Sequence, residues 1–256
     1  MSYWLWLENA RNIVSIILLS IASIQDVKSR EIDDRVWIVF TASALLINIL
    51  SVLNGSVEPF WWIVFAGLQS GLFLLLYYGG VYGGADAKAL MCLSLMYPSS
   101  PTGFLTDLSM ARLPVAFSTM NNALLLTTLY LPLNLFWNLH VKLKGVELFK
   151  GLGKESVLRR IAALLLLRKV RFSQYRAENT RFVLAERRSR SGLRRIVFAR
   201  RLDEDKAEQS FDEDEHVFTS FLMPLQTLIL LGLVARLFYG DILLSLSLLA
   251  ASRLAG

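Results

Sequence analysis

The sequence predicts a membrane α-helical protein. It should have six transmembrane helices and a small cytoplasmic α+β domain, an antiparallel hairpin or small sheet, between the fifth and sixth. Three observations lead there. The chain is 54% hydrophobic with a mean hydropathy of +0.47, against about 45–50% apolar residues in ordinary soluble domains. The apolar residues fall in blocks of about 18 or more, enough to cross roughly 30 Å of hydrocarbon as helix. Charge is concentrated in one stretch, Leu139 to Phe218, which holds 19 of the 27 Lys and Arg and 12 of the 21 Asp and Glu.

The first block runs from Asn12 to Ile24, preceded by Trp4-Leu-Trp-Leu7, and ends near Asp26. It lacks a positive leading segment and a small-x-small cleavage site, so it reads as a span and not as a cleaved signal peptide. A charged loop, Asp26 to Arg35, leads to the second span, Val36 to Leu53. The third, Pro59 to Tyr78, opens on Trp61 and Trp62, which suit a membrane interface. A glycine-rich stretch, Gly79-Gly-Val-Tyr-Gly-Gly-Ala-Asp-Ala-Lys88, precedes a short apolar helix from Gly84 to Tyr97. That helix rises only about 21 Å. It spans if the glycine turn dips to membrane depth, which backbone can do where it lines a wet cavity. Pro98 to Leu113 is a loop, and the fifth span is Pro114 to Trp137.

Within the charged region, Lys154 to Arg171 reads as an amphipathic helix. Arg181 to Glu186 and Leu193 to Ala199 read as two strands joined by a turn at Ser189-Arg-Ser-Gly192, with Asp203 to Glu215 a solvated acidic loop. The sixth span is Phe221 to Phe238, followed by an apolar tail, Ile242 to Leu254. The predicted domains are therefore 1–138, the first five helices; 139–218, the soluble domain; and 219–256, the last helix and tail.

Composition narrows the chemistry. The single cysteine, Cys92, excludes an intrachain disulfide and argues against a thiolate metal site; His140 and His216 are far apart in sequence. No metal and no cofactor is expected. The net charge of +6 is read as the Lys and Arg excess of cytoplasmic segments, with membrane lipids as partners and no nucleic acid. The loops after the first and fifth spans and the glycine turn carry Lys28, Arg30, Arg35, Lys88 and the basic domain. The opposite loops carry only Arg112, and the two ends Arg11 and Arg253. The expected location is the cell membrane, multi-pass, with both termini outside and Asp26 and Asp86 facing the cytoplasm.

Each aspartate has an ordinary explanation. Asp26 suits a helix end among headgroups, and Asp86 suits the first turn of a helix. Two acids on one membrane face, the second behind a glycine cluster, point further, to aspartyl proteolysis. Paired carboxyls share a proton; the ionised one activates water and the protonated one donates to the scissile carbonyl oxygen. Asn121, Asn122, Asn134 and Gln226 are read as hydrogen bonders in helix packing. Arg236 and Asp241 are read as a pair or as facing headgroups.

Gly83-Gly-Ala-Asp-Ala-Lys88, with the earlier Asp26-Val-Lys-Ser-Arg-Glu-Ile32, resembles the type 4 prepilin peptidase and archaeal preflagellin peptidase family of GxGD membrane aspartyl proteases. Val217-Phe-Thr-Ser-Phe-Leu-Met-Pro224 is similar to the proline-containing opening of that family's last helix. The soluble domain and the lack of an N-terminal cysteine-rich domain resemble the preflagellin branch. Two positions depart from the pattern: Ala85 replaces a glycine, and Ile32-Asp-Asp stands where many relatives have Ile-Pro-Asn. The resemblance implies Asp26 and Asp86 as the catalytic pair, Gly83, Gly84 and Ala85 as the turn, and Lys88 as a substrate contact or a modulator of Asp86. It implies removal of a short basic leader from preflagellin or pilin-like precursors, with Glu31, Asp33 and Asp34 attracting that leader. Alternatives of other classes are a proton- or cation-coupled transporter using the acids as a relay, and a non-enzymatic membrane scaffold. A presenilin-type protease ranks lower, because it needs more spans.

Overall fold

The structure is a computed structural model that describes residues 3–97, 113–153, 155–178, 180–188, 194–198 and 211–255. The expected Pro98–Leu113 loop as far as Arg112, the Ser189–Gly192 turn and most of the Asp203–Glu215 run lie outside those residues. The chain divides into two compact units, residues 1–126 with 224–256, and residues 127–223.

The first unit is helical. Helix α1 (Tyr3–Ser29) carries Asp26 in its last turn, so the loop expected from Asp26 starts four residues later, at Arg30. Helix α2 (Asp34–Leu53) starts on Asp33, whose carboxylate accepts the Arg35 N–H at 2.9 Å. Helix α3 (Pro59–Tyr78) starts on Glu58, which accepts the Trp61 N–H at 2.7 Å; Pro59 at the first helical position lacks the N–H that would go unpaired there. Helix α4 (Gly84–Met96) is the innermost element of the unit: Ala89, Leu90, Leu93 and Met96 are fully buried, and α2 and α3 pack on it. Helix α5 (Val115–Thr127) follows.

Ile38, Val39 and Leu46 of α2, and Ile63, Leu68 and Leu75 of α3, point outward with half or more of their surface exposed. So much large apolar surface in register is intolerable in water and natural in lipid. Among the described residues, four stretches are long and apolar enough to cross a membrane: Leu5–Ser29, Asp34–Leu53, Pro59–Tyr78 and Val115–Leu143. This chain is a membrane protein. Helix α4 is not among those stretches, because 13 residues reach only about 20 Å.

The second unit begins with α6 (Tyr130–Leu143), which follows α5 after a turn at Thr128 and Leu129, and Val115–Leu143 still forms a single stretch long enough to span. Helix α7 (Val157–Leu166) is shorter than the amphipathic helix expected, and Arg168–Arg171 forms strand β1 instead. A short helix α8 (Phe172–Ala177) precedes β2 (Phe182–Leu184), β3 (Glu186–Arg188), β4 (Arg194–Ile196) and β5 (His216–Phe221). One antiparallel sheet has the order β1-β5-β2, with Val170 opposite Val217 and Val183 opposite Ser220. A second pairs β3 with β4, Arg187 opposite Arg195. The predicted hairpin is therefore real at its outer half, while its inner half, β2, pairs with β5. Strand β5 is a correction: Val217 to Phe221 belongs to a sheet and not to the opening of a helix. Its neighbours Val217 and Phe218 point to opposite faces, each into its own apolar cluster, as the two-residue period of a strand requires.

The chain returns to the first unit at Pro224. Helix α9 (Leu225–Tyr239) packs along α1 and is bent by 59° from α10 (Ile242–Ala255), the expected apolar tail. If that bent pair counts as one span, the apolar spans number five. Gly240, with φ +81°, makes the break, and Asp241 caps the next helix by accepting the Leu244 N–H at 2.9 Å. Arg236 and Asp241 are buried and do not face headgroups.

Candidate active site

Asp26 and Asp86 come together at the start of α9. The Gln226 backbone N–H donates to Asp26 Oδ2 at 3.3 Å, and its side-chain Nε2 donates to Asp86 Oδ1 at 3.0 Å. One residue therefore bonds both carboxylates. It does so because residue 226 lies in the first turn of α9, where backbone N–H groups have no partner inside the helix and the helix dipole favours anions. A second link fixes the register of α1 against α9: the Ser23 and Thr227 hydroxyls are hydrogen bonded at 2.7 Å. Gln226 is 99% buried, and its Oε1 accepts no hydrogen bond among the described residues.

Asp86 is the third residue of α4. Its Oδ2 accepts the N–H of Gly83, the residue that caps the helix, at 3.1 Å. The plain capping explanation is therefore correct for one of its oxygens. The other oxygen faces Gln226. A Cβ at Gly83 would sit 3.1 Å from Asp86 Oδ2, tighter than an ordinary contact, so a hydrogen at this position lets the carboxylate fold back. At Gly84 an added Cβ would meet only the Tyr77 ring at 3.5 Å. The residue that turns the chain is Gly80, with φ +73°, which the sequence pattern did not single out. Ala85 stands inside the first turn of α4 with no positive φ, so a methyl group fits where the family pattern has glycine.

Asp26 lies in the last turn of α1, with its side chain 15% exposed. Arg30 stands 3.7 Å from its Oδ1. Arg30 has φ +61°, and among the described residues no other non-glycine residue has a positive φ. That conformation costs an L residue about 1–2 kcal/mol, and strain of this kind gathers at functional sites.

The remaining candidates are placed differently. Lys88 Nζ bonds Asp34 Oδ1 at 2.6 Å on an exposed surface and makes no bond to Asp86. Asp33 is occupied in capping α2, and its own N–H donates to Gln25 Oε1 at 3.0 Å. Glu31 is exposed. Of the three acids expected to attract a basic leader, Asp33 and Asp34 thus have partners within the fold. Gln226 is a hydrogen bonder between helices, as the sequence suggested, but what the sequence did not show is that its acceptors are the two aspartates. Asn122 by contrast bonds backbone, its Nδ2 donating to the Gly240 carbonyl at 2.9 Å.

Part of the sequence that builds this site matches known proteins. The profile of the type IV leader peptidase family matches residues 13–140, half of the chain. That stretch contains Asp26 and Asp86 and ends before Gln226. The chain is also similar to the preflagellin peptidase of Methanococcus voltae, 34% identical over 92 residues. This match covers 34% of the chain and 37% of that protein's length.

Proposed function

Because this chain belongs to the type IV leader peptidase family, we propose that it is a membrane aspartyl endopeptidase that removes the short basic leader of preflagellin or pilin-like precursors. The observation that carries the reading is the convergence of Asp26 and Asp86 on Gln226. Like charges held together favour a single shared proton. The ionised carboxylate takes a proton from water as the water oxygen attacks the scissile carbonyl carbon. The protonated carboxyl donates to the carbonyl oxygen. Collapse of the resulting gem-diol breaks the C–N bond: the departing nitrogen takes a proton from the protonated carboxyl while one gem-diol hydroxyl returns its proton to the other carboxylate, which restores the singly protonated dyad.

Loop charge supports a cytoplasmic active site. Lys28, Arg30, Arg35 and Lys88 all flank it in sequence, and the positive-inside rule puts such loops in the cytoplasm. The same reading gives six crossings, with α4 as the fourth, completed by the glycine turn, and the region of strands β1 to β5 as a cytoplasmic domain. Glu31 and the Lys88–Asp34 pair then lie where a basic leader would arrive.

The test is direct. Membranes containing this protein are mixed with a preflagellin or pilin-like precursor, and N-terminal shortening is followed by mass spectrometry. Asp26→Ala and Asp86→Ala should each lose about 1,000-fold or more of the activity, the scale of general acid–base catalysis. Cleavage at the wild-type rate by either variant would refute the dyad.

A further inference from the structure

Resting on the reading of Asp26 and Asp86 as the catalytic pair, we propose that Gln226 is the positioning residue of that pair, and that its side-chain amide holds Asp86 in both of its protonation states. Four observations support this. The bond to Asp26 comes from the backbone N–H, at 3.3 Å, and so is independent of the side chain at position 226. The bond to Asp86 comes from Nε2, at 3.0 Å. The side chain is buried, so no solvent competes for it. Its Oε1 is buried without a partner among the described residues, and an amide oxygen left so keeps its desolvation cost unless something uses it.

A proton that moves through the reaction uses it. An ionised Asp86 needs a donor, which is Nε2. A protonated Asp86 needs an acceptor, which is Oε1 after the amide turns over within the same volume. A carboxamide offers both in one footprint. Glutamate offers an acceptor when ionised and a donor only when protonated. Methionine matches the volume and offers neither. Placing this residue in the first turn of α9, locked to α1 by the Ser23–Thr227 bond, keeps Asp26 and Asp86 at a fixed separation while the proton changes owner.

The experiment compares wild type, Asp86→Ala, Gln226→Met and Gln226→Glu in precursor cleavage across pH, with kcat and KM measured separately. Carbodiimide labelling of Asp86 relative to Asp26 is measured on the same proteins at one fixed pH. For Gln226→Met, kcat should fall about 10- to 100-fold, the worth of a hydrogen bond to a charged group. KM should stay near the wild-type value, and this deficit should be the same at every pH. For Gln226→Glu, the ratio of its kcat to the wild-type value should climb as pH falls, because a protonated carboxyl donates as Nε2 does. Labelling of Asp86 should rise in Gln226→Met while that of Asp26 stays unchanged, since the backbone tether persists. Wild-type kcat in both variants, equal losses at every pH in both, or labelling that rises equally at both aspartates would each overturn the proposal. If wild type leaves the precursor uncut, the proposed function fails, and labelling alone then decides the role of Gln226: the Asp86-selective rise supports the tether and its absence overturns it.

Discussion

Two carboxylate centres in this molecule obey opposite rules. In the second unit, Glu186 is fully buried and completely engaged. Its Oε1 accepts from Lys169 Nζ at 2.8 Å and from the Phe218 N–H at 2.7 Å, and its Oε2 accepts from Arg194 Nε at 2.7 Å. Lys169 also lies over the Phe218 ring, 4.2 Å from its centre. In the first unit, two carboxylates of like charge share one neutral residue that still has an oxygen to spare. The first centre joins strands: Lys169 is in β1, Glu186 in β3, Arg194 in β4 and Phe218 in β5. The second holds together groups that repel. A polar cluster built for folding leaves nothing unpaired, whereas one built for chemistry keeps an unmet bond and tolerates the instability.

The sharpest way to break that contrast is to neutralise each centre. Asp86→Asn should reduce cleavage by about 1,000-fold or more, yet melt at or above the wild-type temperature, because it removes one of the two like charges gathered at Gln226. Glu186→Gln should do the reverse to the fold. It strands two buried cations, and breaking a buried ion pair from one side costs about 3–5 kcal/mol. Thermal unfolding in detergent, with limited proteolysis of the 127–223 unit, reads both. A large fall in melting temperature for Asp86→Asn, or none for Glu186→Gln, would make the two centres alike.

A smaller effect separates neighbouring glycines. Gly83→Ala should press a methyl group against the Asp86 carboxylate, and a misplacement of that kind costs about 10- to 100-fold in kcat. Gly84→Ala should cleave at nearly the wild-type rate, because its methyl meets the Tyr77 ring at an ordinary distance. Equal losses in the two would show that both glycines serve the backbone, and that Asp86 needs no special room.

The two centres also differ in how much of them the sequence displays. Asp86 is legible because its glycines are adjacent to it, and α3 is legible at both ends, from Pro59 and from Gly79. The Asp26 end of α1 is legible as a site but not as a boundary, because Lys28 and Ser29 are as acceptable in a last helical turn as in a loop. Strand β1 is hidden because Arg168 continues the apolar spacing of α7, and only pairing with β5 makes Arg168–Arg171 extended. Strand β5 is hidden by its own neighbour: Pro224 starts a helix, and the apolar residues before it read as part of that helix. Gln226 has no local signal at all. It lies 200 residues from Asp26 and 140 from Asp86, and nothing in its flanking apolar sequence marks it off from a packing residue.

The gentlest probe of the contrast is alkaline pH, read at the structural centre. Burial pulls the Lys169 ammonium down from the ordinary 10.5 to about 8, with Glu186 opposing the fall. Between those two values the unfolded chain keeps a proton here that the folded chain has lost. Stability rises with pH wherever the unfolded state binds more protons. The contribution of Lys169 should therefore favour folding increasingly as pH climbs from about 8 towards 10.5. Lys169→Met lacks this proton in both states, so the gap in melting temperature between variant and wild type should drift with pH across that window and stay constant below it. A constant gap throughout would mean that Glu186 holds Lys169 charged far above pH 8, as a fully compensated ion pair. The contrast with the aspartate pair would then be wider still, because the structural centre would keep its charges where the other must give one up.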